Sequence, residues 1–241
     1  MAQQNQANNN AVLAHARTYP GAPFGINWGL IYGAQGRAET FMPQLRALGA
    51  GIARVFFFWG KVEPDPGHFD WDVVDGFLEQ LQPSDEVWIT VNSSSLWATR
   101  RATDFLPPSP ARDVAEYHRF VHALVTRCRG RVRYWQAENE PNSPVFWAGT
   151  AQEYIDQLKV FYQTVKDADP SAVVILAGSD GLFNPADPQP NDLEKAGLDF
   201  FDHLLREGRE YFDVFDLHLY GDPYTIPARI EFMRRKMAAL G

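Results

Sequence analysis

The chain has 241 residues, of which 45% are hydrophobic and 22% charged, and its formal net charge is −8 at pH 7. This composition is typical of a globular protein with enough apolar material for a large core. Lys and Arg are spread along the chain, which argues against a nucleic-acid partner. The single cysteine, Cys128, excludes an intrachain disulfide and a multi-thiolate metal site.

The sequence predicts neither a membrane segment nor a secretory signal. The longest apolar runs are strand-sized, far shorter than the roughly 20 residues that a membrane helix needs, so no membrane segment is expected. Residues 1–16 are rich in Gln and Asn and lack the charged start of a secretory signal. We therefore predict a flexible tail over residues 1–18, one domain over residues 19–241 and, by default, a cytoplasmic location.

Strand-like and helix-like segments alternate along the chain. Short runs of β-branched and aromatic residues predict buried strands at 24–28, 51–58, 86–92, 131–138, 172–178 and 213–220. Apolar residues spaced three and four apart predict helices at 39–48, 71–81, 111–129, 151–168, 192–206 and 227–240. This alternation predicts a parallel sheet with crossover helices, either doubly wound or closed into a barrel.

The ends of the strands favour the barrel. Residues 28–33, after the first strand, lack the glycine spacing of a doubly wound nucleotide binder. Instead, nearly every strand ends in side chains suited to a small polar ligand: Asn27, Trp28, Arg54, Trp59, Asn92, Asn139, Glu140, His218 and Tyr220. Groups that converge from many strands at their carboxyl ends are typical of a (β/α)8 barrel.

The sequence Asn-Glu-Pro-Asn at 139–142 ends the fourth predicted strand. Its carboxylate, Glu140, follows Tyr134 and Trp135 and precedes Trp147, and an apolar setting at a strand end suits a general acid. The alternative is that Glu140 caps the next helix or pairs with an arginine.

Four motifs carry a resemblance to a known group of enzymes. They are LGAGIAR at 48–54, WGKVEPDPGHFDW at 59–71, YWQAENEPN at 134–142 and DLHLY at 216–220. In this order, each at a strand end, they resemble clan A of the retaining glycoside hydrolases, most closely family 39 (β-xylosidase and iduronidase-like) and family 5 (cellulase-like). The resemblance runs from about residue 24 to the last residue. It implies a (β/α)8 barrel that hydrolyses O-glycosidic bonds of carbohydrates, with no metal and no organic cofactor.

The resemblance also implies roles for single residues. Glu140 matches the acid/base, and Asn139 matches the residue that binds the sugar 2-hydroxyl. Arg54 and Tyr220 match positions that orient the second carboxylate, and His218 lines the same pocket. For Arg54 the local sequence supports the same role, because a lone arginine in an apolar run is costly unless it faces a carboxylate. A structural ion pair for Arg54 and simple packing for Tyr220 are the alternatives.

Three further sets of polar residues have more than one interpretation on the sequence alone. Glu138 shares strand parity with Glu140, so we expect that it can face the same interior; the Asn-Glu-Pro match selects Glu140 as the acid/base. Asn92 begins a glycosylation sequon, yet it lies at a strand end that is expected to line the pocket. His118 and His122 are four apart on a predicted helix, where an exposed helix face is a simpler interpretation than a zinc site.

Aromatic rings form a second group of candidates, because sugar rings stack on flat side chains. Those near strand ends or in the loops that follow are candidate sugar platforms, with burial in the core as the alternative: Trp28, Trp59, Trp97 and Trp147. Trp88 and Trp135 lie in the middle of strands and are expected in the core.

A second carboxylate is missing from this pattern. Retaining enzymes need two carboxyl groups about 5 to 5.5 Å apart, and the resemblance places the nucleophile after a seventh strand. Strand starts at 24 and 213 lie five units apart, so a unit averages about 38 residues and eight would need about 300. We therefore expect about six of eight units, a nucleophile beyond Gly241 and an inactive chain. The alternatives are a non-catalytic carbohydrate-binding barrel, or an assembly completed by another chain through the unpaired sheet edges.

Overall fold

The computed structural model describes residues 24–28, 37–179, 184–185, 189 and 191–240. Its six strands are β1 (Gly25–Trp28), β2 (Ile52–Phe58), β3 (Glu86–Asn92), β4 (Tyr134–Ala137), β5 (Val173–Leu176) and β6 (Val214–Phe215). All pair in parallel and in chain order, from β1 at one edge to β6 at the other. The tail predicted over residues 1–18 lies outside the described residues.

Helices connect the strands. They are α1 (Ala38–Ala47), α2 (Trp59–Val62), α3 (Asp72–Glu79), α4 (Val114–Cys128), α5 (Ala151–Ala168), α6 (Asp192–Glu207) and α7 (Ile226–Leu240), with 3-10 turns at Arg209–Tyr211 and Pro223–Thr225. Thr150 and Asn191 begin α5 and α6 with capping boxes that satisfy the first free N–H groups. The predicted parallel α/β architecture is confirmed, and only the four-residue α2 was not expected from periodicity.

Five of the six predicted strands are shorter in the structure, and two of them lose at least half of their predicted length. The run at 131–138 pairs only from Tyr134 to Ala137, and it ends there because Glu138 has a φ of 63° and leaves the extended conformation. The run at 213–220 pairs only at Val214 and Phe215, where β5 is the one neighbour of β6 among the described residues. Residues 216–220 continue as irregular backbone over the same end of the sheet.

The register separates the two faces of the sheet, because paired residues of parallel strands point to the same side. The row Trp28, Val55, Ile89, Trp135 and Val174 is buried in the core with helix residues such as Phe120 and Leu158. The row one residue earlier is polar or half-buried and faces the barrel interior: Asn27, Arg54, Trp88, Tyr134 and Val173. The helix-facing side therefore supplies the core, and the interior side supplies polar chemistry.

No helix in the described ranges combines the length and the apolarity that crossing a bilayer requires.

Candidate active site

Arg54 lies in β2 and points into the barrel interior. Its Nε donates to Thr90 Oγ1 at 3.0 Å, and its Nη2 donates to Gln136 Oε1 at 2.6 Å and to Asn139 Oδ1 at 2.8 Å. The guanidinium also lies over the Trp88 ring, 4.7 Å from its centroid. Burial lowers the pKa of Arg54, although the nearby charges of Asp216 and Glu140 partly oppose this. Among the described residues, the side-chain acceptors of Arg54 are three neutral groups.

The turn after β4 sends successive side chains in different directions. Glu138 and Glu140 have φ values of 63° and 43°, a left-handed backbone that non-glycine residues rarely adopt. Asn139, between them, reaches Arg54 on the interior side. Strand alternation therefore does not hold beyond Ala137, and the orientation of the two glutamates has to be read from their contacts.

Glu140 faces the barrel interior and contacts His218. Its Oε1 lies 2.5 Å from His218 Nδ1, and only 6% of the Glu140 surface is exposed. The other ring nitrogen, Nε2, lies 2.8 Å from Asp216 Oδ2. Burial by itself lowers the pKa of His218, but hydrogen bonds to Asp216 and Glu140 outweigh it and raise that pKa to about 9. The imidazole is therefore a cation at neutral pH, with Asp216 at one ring nitrogen and Glu140 at the other.

Gln136 joins this group to Arg54. Its Nε2 donates to Asp216 Oδ2 at 3.2 Å, while its Oε1 accepts from Arg54 and from Thr90. The pKa of Asp216 is lowered, because the hydrogen bond and charge of His218 and the charge of Arg54 outweigh the effect of burial. A continuous polar chain thus runs from β2 to the end of β6, which we name the barrel-side cluster: Arg54, Thr90, Gln136, Asp216, His218 and Glu140.

Asn139 carries an unused donor beside this cluster. Its side chain is 1% exposed, and its Nδ2 has no hydrogen-bond partner in the described part of the chain. A buried amide N–H without a partner costs free energy unless a ligand or water satisfies it. Asn139 is therefore able to donate to an oxygen atom that enters the barrel interior.

Glu138 lies on the opposite side of the sheet from Glu140. Its Oε1 accepts from Ser93 N at 2.9 Å, Ser93 Oγ at 2.5 Å and Gln157 Nε2 at 3.3 Å, and its Oε2 accepts from Asn92 Nδ2 at 3.2 Å. Gln157 belongs to α5, so this helix-side cluster of Glu138, Ser93, Gln157 and Asn92 sits between sheet and helices. Full burial raises the pKa of Glu138 to about 7, against the effect of its hydrogen bonds. The expectation that Glu138 can share the interior with Glu140 is wrong, because the turn rotates it outward.

Asn92 joins β3 to this helix-side cluster. It is 1% exposed and donates to Glu138. An asparagine so buried is not accessible to a glycosyltransferase, so the sequon at 92–94 has a structural role.

Tyr220 lies at the outer margin of the site. It is 74% exposed, and its ring stands edge-on to the His218 ring with centroids 6.1 Å apart. The alternative of packing in the core does not apply to a ring so exposed.

The four tryptophans predicted as sugar platforms make their contacts with core groups. Trp28 stacks on Phe41, and Trp59 is fully buried and stacks on Phe120. Trp147 is 3% exposed and its Nε1 donates to the Thr150 carbonyl. Trp97 is half-buried, packs edge-on against Trp59 and donates to the Glu63 carbonyl. These contacts correspond to the packing alternative.

The two tryptophans expected in the core differ from each other. Trp135 is fully buried on the helix-facing side of β4. Trp88 is half-buried on the interior face, under the guanidinium of Arg54. The burial of these two tryptophans therefore depends on which face of the sheet they occupy and not on their position along the strand.

Sequence reasoning missed Thr90, Gln136 and Asp216. Each breaks an otherwise apolar run, and Thr90 pairs in register with Gln136 on the interior face. Asp216 lies two residues before His218 and so has the same strand parity. The sequence therefore contained a usable pattern: each missed residue is polar, faces the interior and lies two positions before a residue that the sequence analysis had singled out.

Metal-binding groups are sparse. Within the described ranges, no three His, Cys, Asp or Glu side chains come together to hold a metal ion. His118 and His122 are both exposed on α4, with ring centroids 6.0 Å apart.

Neither a family model nor a curated protein sequence matches this chain, but solved structures do. A family 39 glycoside hydrolase from Bacteroides cellulosilyticus WH2 has a TM-score of 0.58 and 19% identity, over 83% of this chain and 38% of its own. A family 39 β-xylosidase from Caulobacter crescentus has a TM-score of 0.58 and 18% identity, over 90% of this chain and 50% of its own. A glucosidase from Croceicoccus marinus has a TM-score of 0.59 and 16% identity, over 91% of this chain and 48% of its own.

At these identities the likeness shows the fold. The chain spans between 38% and 50% of the lengths of these neighbours, so their whole-protein activities do not transfer directly. The resemblance to family 39 predicted from the motifs is confirmed among the structural neighbours. The six βα units have the fold of a (β/α)8-barrel glycoside hydrolase, and family 39 enzymes are among the solved structures most like it.

Proposed function

We propose that this chain carries the acid/base half of a retaining β-glycosidase site. In this proposal Glu140 protonates the glycosidic oxygen of the leaving group and then takes a proton from the attacking water. The observation that supports it is the placement of Glu140: buried after β4, in the barrel interior and 2.5 Å from His218 Nδ1.

Neighbouring groups supply binding. The unpartnered Nδ2 of Asn139 is placed to donate to a sugar 2-hydroxyl, an interaction that strengthens in an oxocarbenium-like transition state. Arg54 holds Asn139 from the other side through its Oδ1. In the proposal, Arg54 and Tyr220 also face the second carboxylate and keep it ionised.

That second carboxylate comes from outside the six described strands. Among the described residues, Glu138 lies on the helix side of the sheet, and the His218 ring stands between Asp216 and Glu140. Neither carboxylate meets the geometry of a nucleophile about 5 Å from the acid/base with a sugar between them.

The proposed substrates are O-glycosides of oligo- or polysaccharides. The names of the neighbours, a β-xylosidase and a glucosidase, make β-xylosides and glucosides the first substrates to test.

The test uses the natural gene product that contains this chain. Glu140→Ala should lower the hydrolysis of xylobiose or of an aryl glycoside with a poor leaving group by about 100-fold to 10,000-fold. It should spare the first step on a dinitrophenyl glycoside, because that leaving group needs no proton. The second step has lost its base and should be slow until added azide restores turnover as a β-glycosyl azide. Glu138→Gln is the matched control and should change both rates much less. Loss of activity in the control alone would contradict the assignment of Glu140.

The alternatives give different results for the 241-residue chain by itself. We expect little or no turnover from it, and robust Glu140-dependent turnover would contradict a nucleophile outside the six strands. Calorimetry with xylo- and gluco-oligosaccharides tests for a non-catalytic binding barrel. Light scattering tests for an assembly through β1 and β6, each of which pairs on one side only within the described residues.

A further inference from the structure

Asp216 has no part in the proposal above, yet it is the most connected carboxylate of the barrel-side cluster. Its Oδ2 lies 2.8 Å from His218 Nε2 and accepts from Gln136 Nε2 at 3.2 Å. Asp216 therefore contacts the ring that contacts Glu140, without contacting Glu140 in its own right.

The His218 ring is held by contacts at both of its nitrogens and by the close approach of the Gly178 backbone. Its two nitrogens are occupied by Glu140 and Asp216, and its side chain is 8% exposed. Gly178 lies so close that a Cβ there would meet His218 Cδ2 at 2.4 Å. The ring cannot turn over without losing both hydrogen bonds.

The two contacts have different consequences for the proton. An ionised carboxylate only accepts hydrogen bonds, so Nε2 must carry its proton toward Asp216. Asp216 stays ionised, because His218 and Arg54 hold its pKa below its usual value despite burial. The nitrogen that gains and loses a proton is then Nδ1, which faces Glu140 Oε1.

We propose that Asp216 is a positioning residue for the acid/base pair: it locks His218 with Nε2–H toward itself, so that one proton is shared between His218 Nδ1 and Glu140 Oε1. This inference rests on the proposed function. With the proton on Nδ1, Glu140 is a carboxylate and His218 a cation. With the proton on Oε1, Glu140 is the acid and His218 is a neutral ring whose lone pair is on Nδ1.

The proton balance over a cycle is complete. The shared proton leaves Oε1 for the glycosidic oxygen as the bond to the leaving group breaks. In the second step Glu140 takes a proton from water as the water oxygen bonds to the anomeric carbon and the bond from that carbon to the nucleophile breaks, and the pair again holds one proton.

The charged groups facing His218 are Asp216, Glu140 and Arg54. Burial and the repulsion of Arg54 lower the pKa of His218, and the two carboxylates raise it to about 9 overall. Asp216→Asn keeps the shape and the hydrogen-bonding oxygen but removes one of the two negative charges. The pKa of His218 should therefore fall.

The test is a two-bond ¹H–¹⁵N titration of His218 by NMR in the ¹⁵N-histidine-labelled chain. In Asp216→Asn the midpoint of His218 should fall by about one pKa unit or more, a tenfold loss of proton affinity. Asp213→Asn is the control: Asp213 lies three residues earlier but accepts from Lys166 Nζ and Val174 N, outside the cluster. An unchanged midpoint in Asp216→Asn, or an equal fall in both variants, would overturn the proposal.

A second measurement needs no variant. Above its midpoint, the unsubstituted chain should show His218 with the proton on Nε2, and a proton on Nδ1 instead would overturn the positioning role. These readouts do not depend on hydrolysis. A correct tautomer in a gene product whose Glu140→Ala variant hydrolyses glycosides normally would instead contradict the proposed function.

Discussion

The two clusters on either side of the end of β4 contain similar residues and behave differently. In the helix-side cluster, Glu138 is fully buried and accepts from Ser93, Asn92 and Gln157, so its oxygens are committed to protein groups. In the barrel-side cluster, Glu140 contacts a single ionisable ring at the interior of the sheet. Two carboxylates two residues apart therefore differ in their surroundings, because one joins strands to a helix and the other contacts the His218 ring on the interior side of the sheet.

The largest expected effect is a difference in stability between the Glu138→Ala and Glu140→Ala variants. Glu138→Ala leaves Ser93 N and Asn92 Nδ2 buried without their acceptor, so the free energy of unfolding should fall by about 3 kcal/mol. Glu140→Ala should cost less than half as much, because His218 keeps Asp216 as its partner. Urea titration of both variants measures this. Equal losses would break the distinction between the clusters.

The pH dependence of stability should show both clusters in turn. Native Glu138 holds its proton up to pH about 7, while the unfolded chain releases it near 4.5. The native state thus binds more protons between these values, and the free energy of unfolding should fall by at most about 3 kcal/mol as pH rises through that window.

His218 acts in the next window. Its pKa is raised from 6.5 to about 9, so its contribution is complete below pH 6.5 and is lost as pH rises through about 9. Glu138→Gln should remove the first decline, because an amide does not titrate between pH 4 and 10, and it should keep the second decline, because His218 is unchanged. Urea midpoints measured from pH 4 to 10 test this, and an unaltered first decline would assign it to another group.

A smaller effect is expected from Gly178→Ala on the barrel side. The added Cβ would overlap the His218 ring at 2.4 Å, and relief of that overlap should cost about 1 to 3 kcal/mol and shift the His218 NMR signals. Gly76→Ala is the control, because a Cβ there meets nothing within 4 Å and Gly76 lies in α3. If Gly178→Ala changed neither the stability nor the His218 NMR signals, the ring would be free to move.

The smallest effect concerns the helix side. Trp59→Phe keeps the stack on Phe120 and removes the Nε1–H that donates to buried Glu63 Oε2 at 2.8 Å, so stability should fall by about 1.5 kcal/mol. Trp97→Phe, which loses a bond to a backbone carbonyl, should cost somewhat less. Thermal unfolding measures both. If Trp59→Phe instead weakened sugar binding without loss of stability, the packing role would be wrong.

The elements were predictable where local pattern and burial agree. The strand at 86–92 and the helix at 151–168 match β3 and α5 residue for residue, because both are bounded by clear turn or capping signals. The site was predictable in part: the motifs picked out Arg54, Asn139, Glu140 and His218, which the structure brings together. Gln136 and Asp216 were missed because their roles depend on partners about 80 residues away.

What the sequence determined by itself is the repeating βα order, since alternating runs of β-branched residues and helical spacing are local properties of the chain. The tertiary structure alone decided which face of the sheet each polar group occupies. Left-handed backbone at Glu138 and Glu140 breaks strand parity, so Glu138 turns toward α5 while Glu140 turns toward His218. Likewise only packing shows that the ring of Trp59 belongs to the core, because burial depends on neighbours that are distant in sequence.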